Sequence, residues 1–160
     1  MLIVEDNTGV TGANSYLSLS DFQQFADEEG FPYPTYTPAQ QGSALVIASR
    51  RYVDSFSFAG APVNADQGLK LPTDKVTLNR DIKYAVYLAA CLHLQGRLFV
   101  APTDIQARAV TGESKAVGSL SKSTQYAQSM TYTNKYPTTA IDALVAKHAT
   151  VNAGFVALRG

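Results

Sequence analysis

Cys91 and His93 stand two residues apart in an almost wholly apolar run, and a Cys/His pair could hold a metal ion or support thiol chemistry. On a helix, positions i and i+2 point roughly 160–200° apart, so these two cannot converge on one ligand. The other histidine, His148, is far along the chain, and no third ligand accompanies either. A single histidine in an apolar helix reads as a core residue. Asp27-Glu28-Glu29 offers three consecutive carboxylates, which at a helix C-terminus read as solvated charge. There is no Gly-x-Ser-x-Gly elbow, no phosphate-binding loop and no dinucleotide glycine fingerprint. Gly9-Val10-Thr11-Gly12 reads as a turn. Arg50-Arg51 and the scattered C-terminal lysines are interleaved with Tyr126, Tyr132 and Tyr136, residue types that neutralise phosphates and stack on bases. Against this, a chain of zero formal charge lacks the electrostatic footprint of a dedicated nucleic-acid binder. The expectation is a protein that is not an enzyme and takes no metal or cofactor.

Function by contact fits the composition. The 160 residues suit one domain, 1–160, and an apolar share of 46% with only 16% charged residues, nine Tyr and seven Phe suggests a surface partly meant for other molecules. Charge is distributed unevenly. Residues 1–30 carry Glu5, Asp6, Asp21, Asp27, Glu28 and Glu29 without a Lys or Arg. Residues 108–160 carry Arg108, Lys115, Lys122, Lys135, Lys147 and Arg159 against only Glu113 and Asp142. Ends of opposite sign could let copies pack head to tail, or could simply be two solvated faces. The lone Cys91 excludes a disulfide scaffold, the N-terminus lacks the basic and apolar regions of a signal peptide, and no apolar run would span a bilayer. A cytoplasmic protein without membrane contact is expected.

The elements that must position any site are mostly helical. Ser18 can cap a helix over 19–29, with Asp21 three residues on, Leu17 stapling onto Phe22, and Gly30 as the stop. Leu19, Phe22, Phe25 and Ala26 form its apolar face. Phe31 to Tyr36 holds two prolines and reads as an extended loop. Thr37-Pro38-Ala39-Gln40 combines a cap, proline in the first turn and the reciprocal Gln of a capping box, opening a helix with Leu45, Ala48, Tyr52 and Phe56 as its stripe. Residues 58–74, broken by Gly60, Pro62, Gly68 and Pro72, read as a surface loop. A third helix runs from Asn79 to Gln95 and stops at Gly96. Its segment 84–94 is apolar on all sides, which makes it the central helix. Residues 105–128 lose the helical period and read as a β-hairpin or long extended loop, and 129–136 as a surface loop. A last helix covers 138–150 with Ile141, Leu144, Val145 and His148 at helical spacing, followed by the tail 152–160. The expected fold is mainly α: a small helical bundle around a central apolar helix, with a β-hairpin or long extended loop before the last helix.

Gly12-Ala13-Asn14-Ser15-Tyr16-Leu17-Ser18-Leu19 resembles the opening of a tailed-bacteriophage head–tail connector (adaptor, or head-completion) family whose members are often catalogued as DnaT-like single-stranded-DNA-binding proteins. The similarity continues through Ala44–Asp54, Gln67–Pro72 and Asp81–Ala90, then Gly118, Tyr126 and the terminal Leu158-Arg159-Gly160. The chain departs from the pattern at Leu69–Pro72, where many relatives carry an aromatic before the proline, and at Leu78-Asn79-Arg80, where relatives tend to have proline. The resemblance implies a structural virion protein of the neck, assembled in the host cytoplasm. Its expected form is a dodecameric ring under the portal protein, passing double-stranded DNA through a channel and offering a platform to tail or neck proteins. On that reading 105–136 lies at subunit boundaries or the channel. The tail residues Phe155, Val156, Leu158 and Arg159 would then dock on the portal. The alternative takes the DnaT-like description literally, as a replication accessory that binds single strands.

Overall fold

Among the described residues, three of the four α-helices start at a capping side chain. In the computed structural model, which describes residues 1–99, 110–115, 122–126 and 138–150, helix α1 covers Leu19–Glu29. The Ser18 hydroxyl accepts from the Asp21 amide at 3.0 Å, and Gly30 ends the helix in the left-handed region at φ 69°. Helix α2, Pro38–Ile47, opens on a complete capping box: the Gln40 amide donates to Thr37 Oγ1, and the Thr37 amide donates to Gln40 Oε1 at 2.8 Å. Helix α3, Arg80–Leu94, is capped by Asn79 Oδ1, which accepts from the Ile82 amide at 3.1 Å. Helix α4, Thr139–Ala146, is shorter than the period suggested, since the chain turns at Lys147 and His148 instead of continuing to 150.

The chain is mainly helical. Its described residues fall into two compact units. One holds the described residues 1–98 and 138–150; the other holds Phe99 and the described residues 110–115 and 122–126. In the second unit, strand β1 (Val110–Lys115) pairs antiparallel with β2 (Lys122–Tyr126), with a register irregularity between Val110 and Gly112 and Lys115 opposite Lys122. In the first, α3 packs against α1, α2 and α4 and supplies Ile82, Ala85, Val86, Tyr87, Ala89, Ala90 and Cys91 to the core. Tyr84, Leu88, Leu92 and His93 are only half-buried, so this central helix is covered on most but not all of its circumference.

Three segments depart from the sequence expectation. The second helix continues toward Phe56, but as a π-helix over Ala48–Tyr52 and a 3-10 turn over Val53–Ser55. The wider π turn buries Ser49 along with Ala48 and Val53, and Ser49 Oγ accepts from the Tyr16 amide at 3.0 Å. The polar residue leaves the solvent face because its hydroxyl satisfies a buried backbone donor. The loop after Phe58 does not run over the surface throughout: Leu69, Leu71, Pro72 and Thr73 are buried, and the Leu71–Pro72 peptide is cis. Its turns are held by the Gln67 side chain, whose Nε2 donates to the carbonyls of Leu69 and Pro72 at 2.7 and 3.0 Å. The proline-rich 31–36 stretch likewise closes into a short 3-10 turn, Tyr33–Thr35.

Residues of the opening motif join these pieces. The Tyr16 phenol, fully buried, accepts from the Leu71 amide at 2.9 Å and donates to the Asp54 carboxylate. Just upstream the Glu5 carboxylate, 1% exposed, accepts from the amides of Asp6, Asn7, Gly9 and Val10 at 2.8–3.1 Å. Asn7 then brackets Leu78 with both ends of its side-chain amide, fixing the chain that leads into α3. Gly68 donates to the Val10 carbonyl at 3.2 Å, and a β-carbon there would lie 2.2 Å from the Ala13 carbonyl oxygen.

Tyr16→Phe leaves the buried Leu71 amide and the Asp54 carboxylate without the phenol, and is expected to cost about 1–3 kcal/mol in urea-unfolding experiments. Gly68→Ala should destabilise as well, because backbone rather than a pliable side chain must yield. Unchanged urea midpoints for both variants would show that this junction does not hold the fold.

Candidate functional site

Among the described residues, α1 and α3 bound an open groove of about 380 Å³. Asp21, Gln24, Phe25 and Glu28 come from α1, Arg80 and Lys83 from α3. Helical geometry explains the convergence. Positions 21, 24, 25 and 28 follow the i, i+3, i+4, i+7 stripe beside the buried Phe22 and Ala26, and 80 and 83 are i and i+3 on the facing helix. One wall therefore carries carboxylates and the Phe25 ring, the other carries two cations.

Phe25 is half-buried, and its ring is held by Tyr84 at 5.7 Å and Tyr87 at 5.6 Å between centroids, with the two tyrosines themselves stacked at 5.7 Å. A ring so fixed costs little further ordering when another flat group packs on it. Tyr84 donates its hydroxyl to Glu29 at 3.0 Å, and burial followed by that carboxylate raises the phenol above its ordinary range, so it remains a donor. Tyr87 is raised mainly by burial. Gln24 donates to Glu28 at 3.1 Å, which steadies a carboxylate on the anionic wall. Arg80 and Lys83 form no salt bridge among the described residues.

The first turn of α3 is fixed from its other side. Asp81, between the two cations in sequence, accepts from Lys147 Nζ at 3.4 Å and lies 3.3 Å from His148 Nε2. Asn79 uses its side-chain oxygen to cap α3, so its amide group is the donor toward His148 at 3.3 Å. Residues after α4 thus hold Asn79 and Asp81 while Arg80 and Lys83 line the groove.

The residues with apparent chemistry are dispersed. His148 packs at the start of α3 and His93 sits near its end, about 18 Å away at 1.5 Å per residue, so the two histidines share no ligand. Burial pushes the Cys91 thiol up to about 12, opposite to the direction a nucleophile needs. No three His, Cys, Asp or Glu residues cluster for a metal among the described residues. Of Asp27-Glu28-Glu29, Glu28 faces the groove, Glu29 meets Tyr84, and Asp27 is exposed without lining it. Arg50 and Arg51 are exposed on the π segment. The side chain of Tyr126, all of Tyr132 and Tyr136, and the tail residues Phe155, Val156, Leu158 and Arg159 lie outside the described residues. Sequence reasoning did not single out Phe25 with Arg80 and Lys83 as a site. The available signal was the charged stripe flanking the apolar stripe on each helix.

A family model described as "Putative DnaT-like ssDNA binding protein" matches residues 1–160. No curated protein and no solved structure matches the chain. The matched description agrees with the DnaT-like side of the resemblance and contains nothing about a portal, a tail or a ring.

The side chains of His148 and Lys147 hold the Asp81 carboxyl below its ordinary value of 3.8. A depressed carboxyl stabilises the fold fully above its unfolded value, and the contribution is lost as pH falls through the native one. The urea midpoint of Asp81→Asn should therefore lie below wild type at neutral pH, with the gap closing once pH drops below about 3.8. A gap that is constant with pH would exclude the latch.

Proposed function

The chain belongs to the DnaT-like ssDNA-binding protein family, and from that premise we propose that it acts by binding single-stranded DNA and not by catalysing a reaction. The observation that carries this reading is the half-buried Phe25 ring with Arg80 and Lys83 beside it. Single-strand binders combine a surface on which a base stacks with cations that track the backbone, and stacking contributes about 1–3 kcal/mol per base. With a formal charge of zero, binding is expected to be modest and to depend on these local cations instead of on a global field.

The test is fluorescence anisotropy with a labelled single-stranded oligonucleotide across a salt series. Binding should weaken as salt rises, and each of Arg80→Gln and Lys83→Gln should flatten the log–log salt slope by about 0.7. Phe25→Ala should lower affinity by roughly tenfold, the loss of one stacking contact. Absence of any binding at low salt would reject the reading.

A second reading is favoured by the opposite charge of the two chain ends and by the Gly12–Leu19 motif. On it the protein is a head-to-tail adaptor of the virion neck, assembled in the host cytoplasm as a dodecameric ring. The ring would bind the portal through Phe155, Val156, Leu158 and Arg159, carry tail or neck proteins, and let double-stranded DNA pass. Electron microscopy of particles made by the parent phage with this reading frame disrupted separates the two. DNA-filled or leaking heads without tails are expected of an adaptor, whereas normal particles in reduced number with impaired DNA synthesis are expected of a single-strand binder.

A further inference from the structure

We infer that the α1–α3 groove selects among bases, accepting those with an exocyclic amino group and disfavouring thymine. This rests on the single-strand-binding reading and adds the identity of the preferred ligand. A groove serving only to bind phosphate would be expected to carry cations on both walls. Here the wall facing Arg80 and Lys83 bears Asp21 and Glu28, which carry acceptors and no donors when ionised, with Gln24 between them.

The arrangement matches a nucleotide in its parts. A base stacked on Phe25 would direct its sugar–phosphate edge to Arg80 and Lys83 and its opposite edge to the carboxylates. Carboxylates accept from the amino group of cytosine, and the amino groups of adenine and guanine are the equivalent donors on other bases. Thymine presents carbonyl oxygens, a methyl group and one imide N–H. Its carbonyls would face anionic oxygens without an amino donor to compensate. The Gln24–Glu28 hydrogen bond keeps one carboxylate in place, so the selection does not depend on two freely moving chains. The same carboxylates repel phosphate, so the groove gives up general affinity for discrimination.

Labelled oligo(dC) and oligo(dT) of equal length, titrated by anisotropy against the full chain at neutral pH, test the inference. Oligo(dC) should bind roughly tenfold more tightly, the effect of one charge-assisted hydrogen bond. Asp21→Asn combined with Glu28→Gln should strengthen oligo(dT) binding and erase the preference, with circular dichroism checking that the helices remain. Equal binding of the two oligomers by wild type, or a preference that survives the double substitution, would overturn the inference while leaving single-strand binding intact. Binding unaffected by Phe25→Ala and Lys83→Gln would place the strand elsewhere and overturn it too. Sedimentation that shows those substitutions dissociating an oligomer would assign the groove to a second copy and overturn it as well. Failure of both oligomers to bind would reject the inference together with the reading it rests on.

Discussion

The Tyr16 phenol is the contact on which the helical unit depends. It is buried, it accepts from the Leu71 amide, and it donates to Asp54 at the end of the irregular helix that follows α2. Burial and the neighbouring Asp54 raise the phenol far above its ordinary range, so it serves as a neutral donor. Asp54 is itself raised by burial, against the opposing effect of the Tyr16 hydrogen bond. Three segments distant in sequence meet at one oxygen. Without it, the buried Leu71 amide would lack a partner and the Asp54 carboxylate would keep only the long 3.4 Å contacts from the Lys70 amide, at a cost comparable to a sizeable part of a small domain's net stability. The Glu5 cradle and the Asn7 clasp on Leu78 extend the same junction to the start of α3.

This junction matters for the groove because the groove is made of two helices whose starts it sets. Ser18, two residues after Tyr16, caps α1, and Leu78, held by Asn7, immediately precedes the Asn79 cap of α3. The aromatic set Phe25, Tyr84 and Tyr87 then fixes how the helices face each other, while Asp81 and His148 hold the outer side of the first turn of α3. The site thus has rigid elements on either side of a few long, solvent-facing charged chains.

Neutral overall charge and DNA contact are compatible if the contact is short. A protein that neutralises only a few phosphates releases few counterions, so its affinity is low but tolerant of salt. On the single-strand-binding reading, carboxylates on the wall facing the cations would reduce nonspecific hold further and leave base chemistry a larger share of the binding.

The sequence by itself determined the mainly helical fold, because capping is local chemistry. Ser18, Thr37 with Gln40, and Asn79 each sit within three residues of the amide they satisfy, and Gly30 and Gly96 take the left-handed turns they were expected to take. The all-round apolar run of 84–94 likewise identified α3 as central. Tertiary structure decided what periodicity cannot encode. Ser49 turned inward because a distant Tyr16 amide needed an acceptor, and a loop rich in turn residues was drawn into the core because Leu69 and Leu71 found partners there. The groove belongs to the same class: Asp21, Phe25, Arg80 and Lys83 look like ordinary surface and packing positions along the chain. They become a site only when α1 and α3 lie side by side, since charge and stacking act through space and not along the sequence.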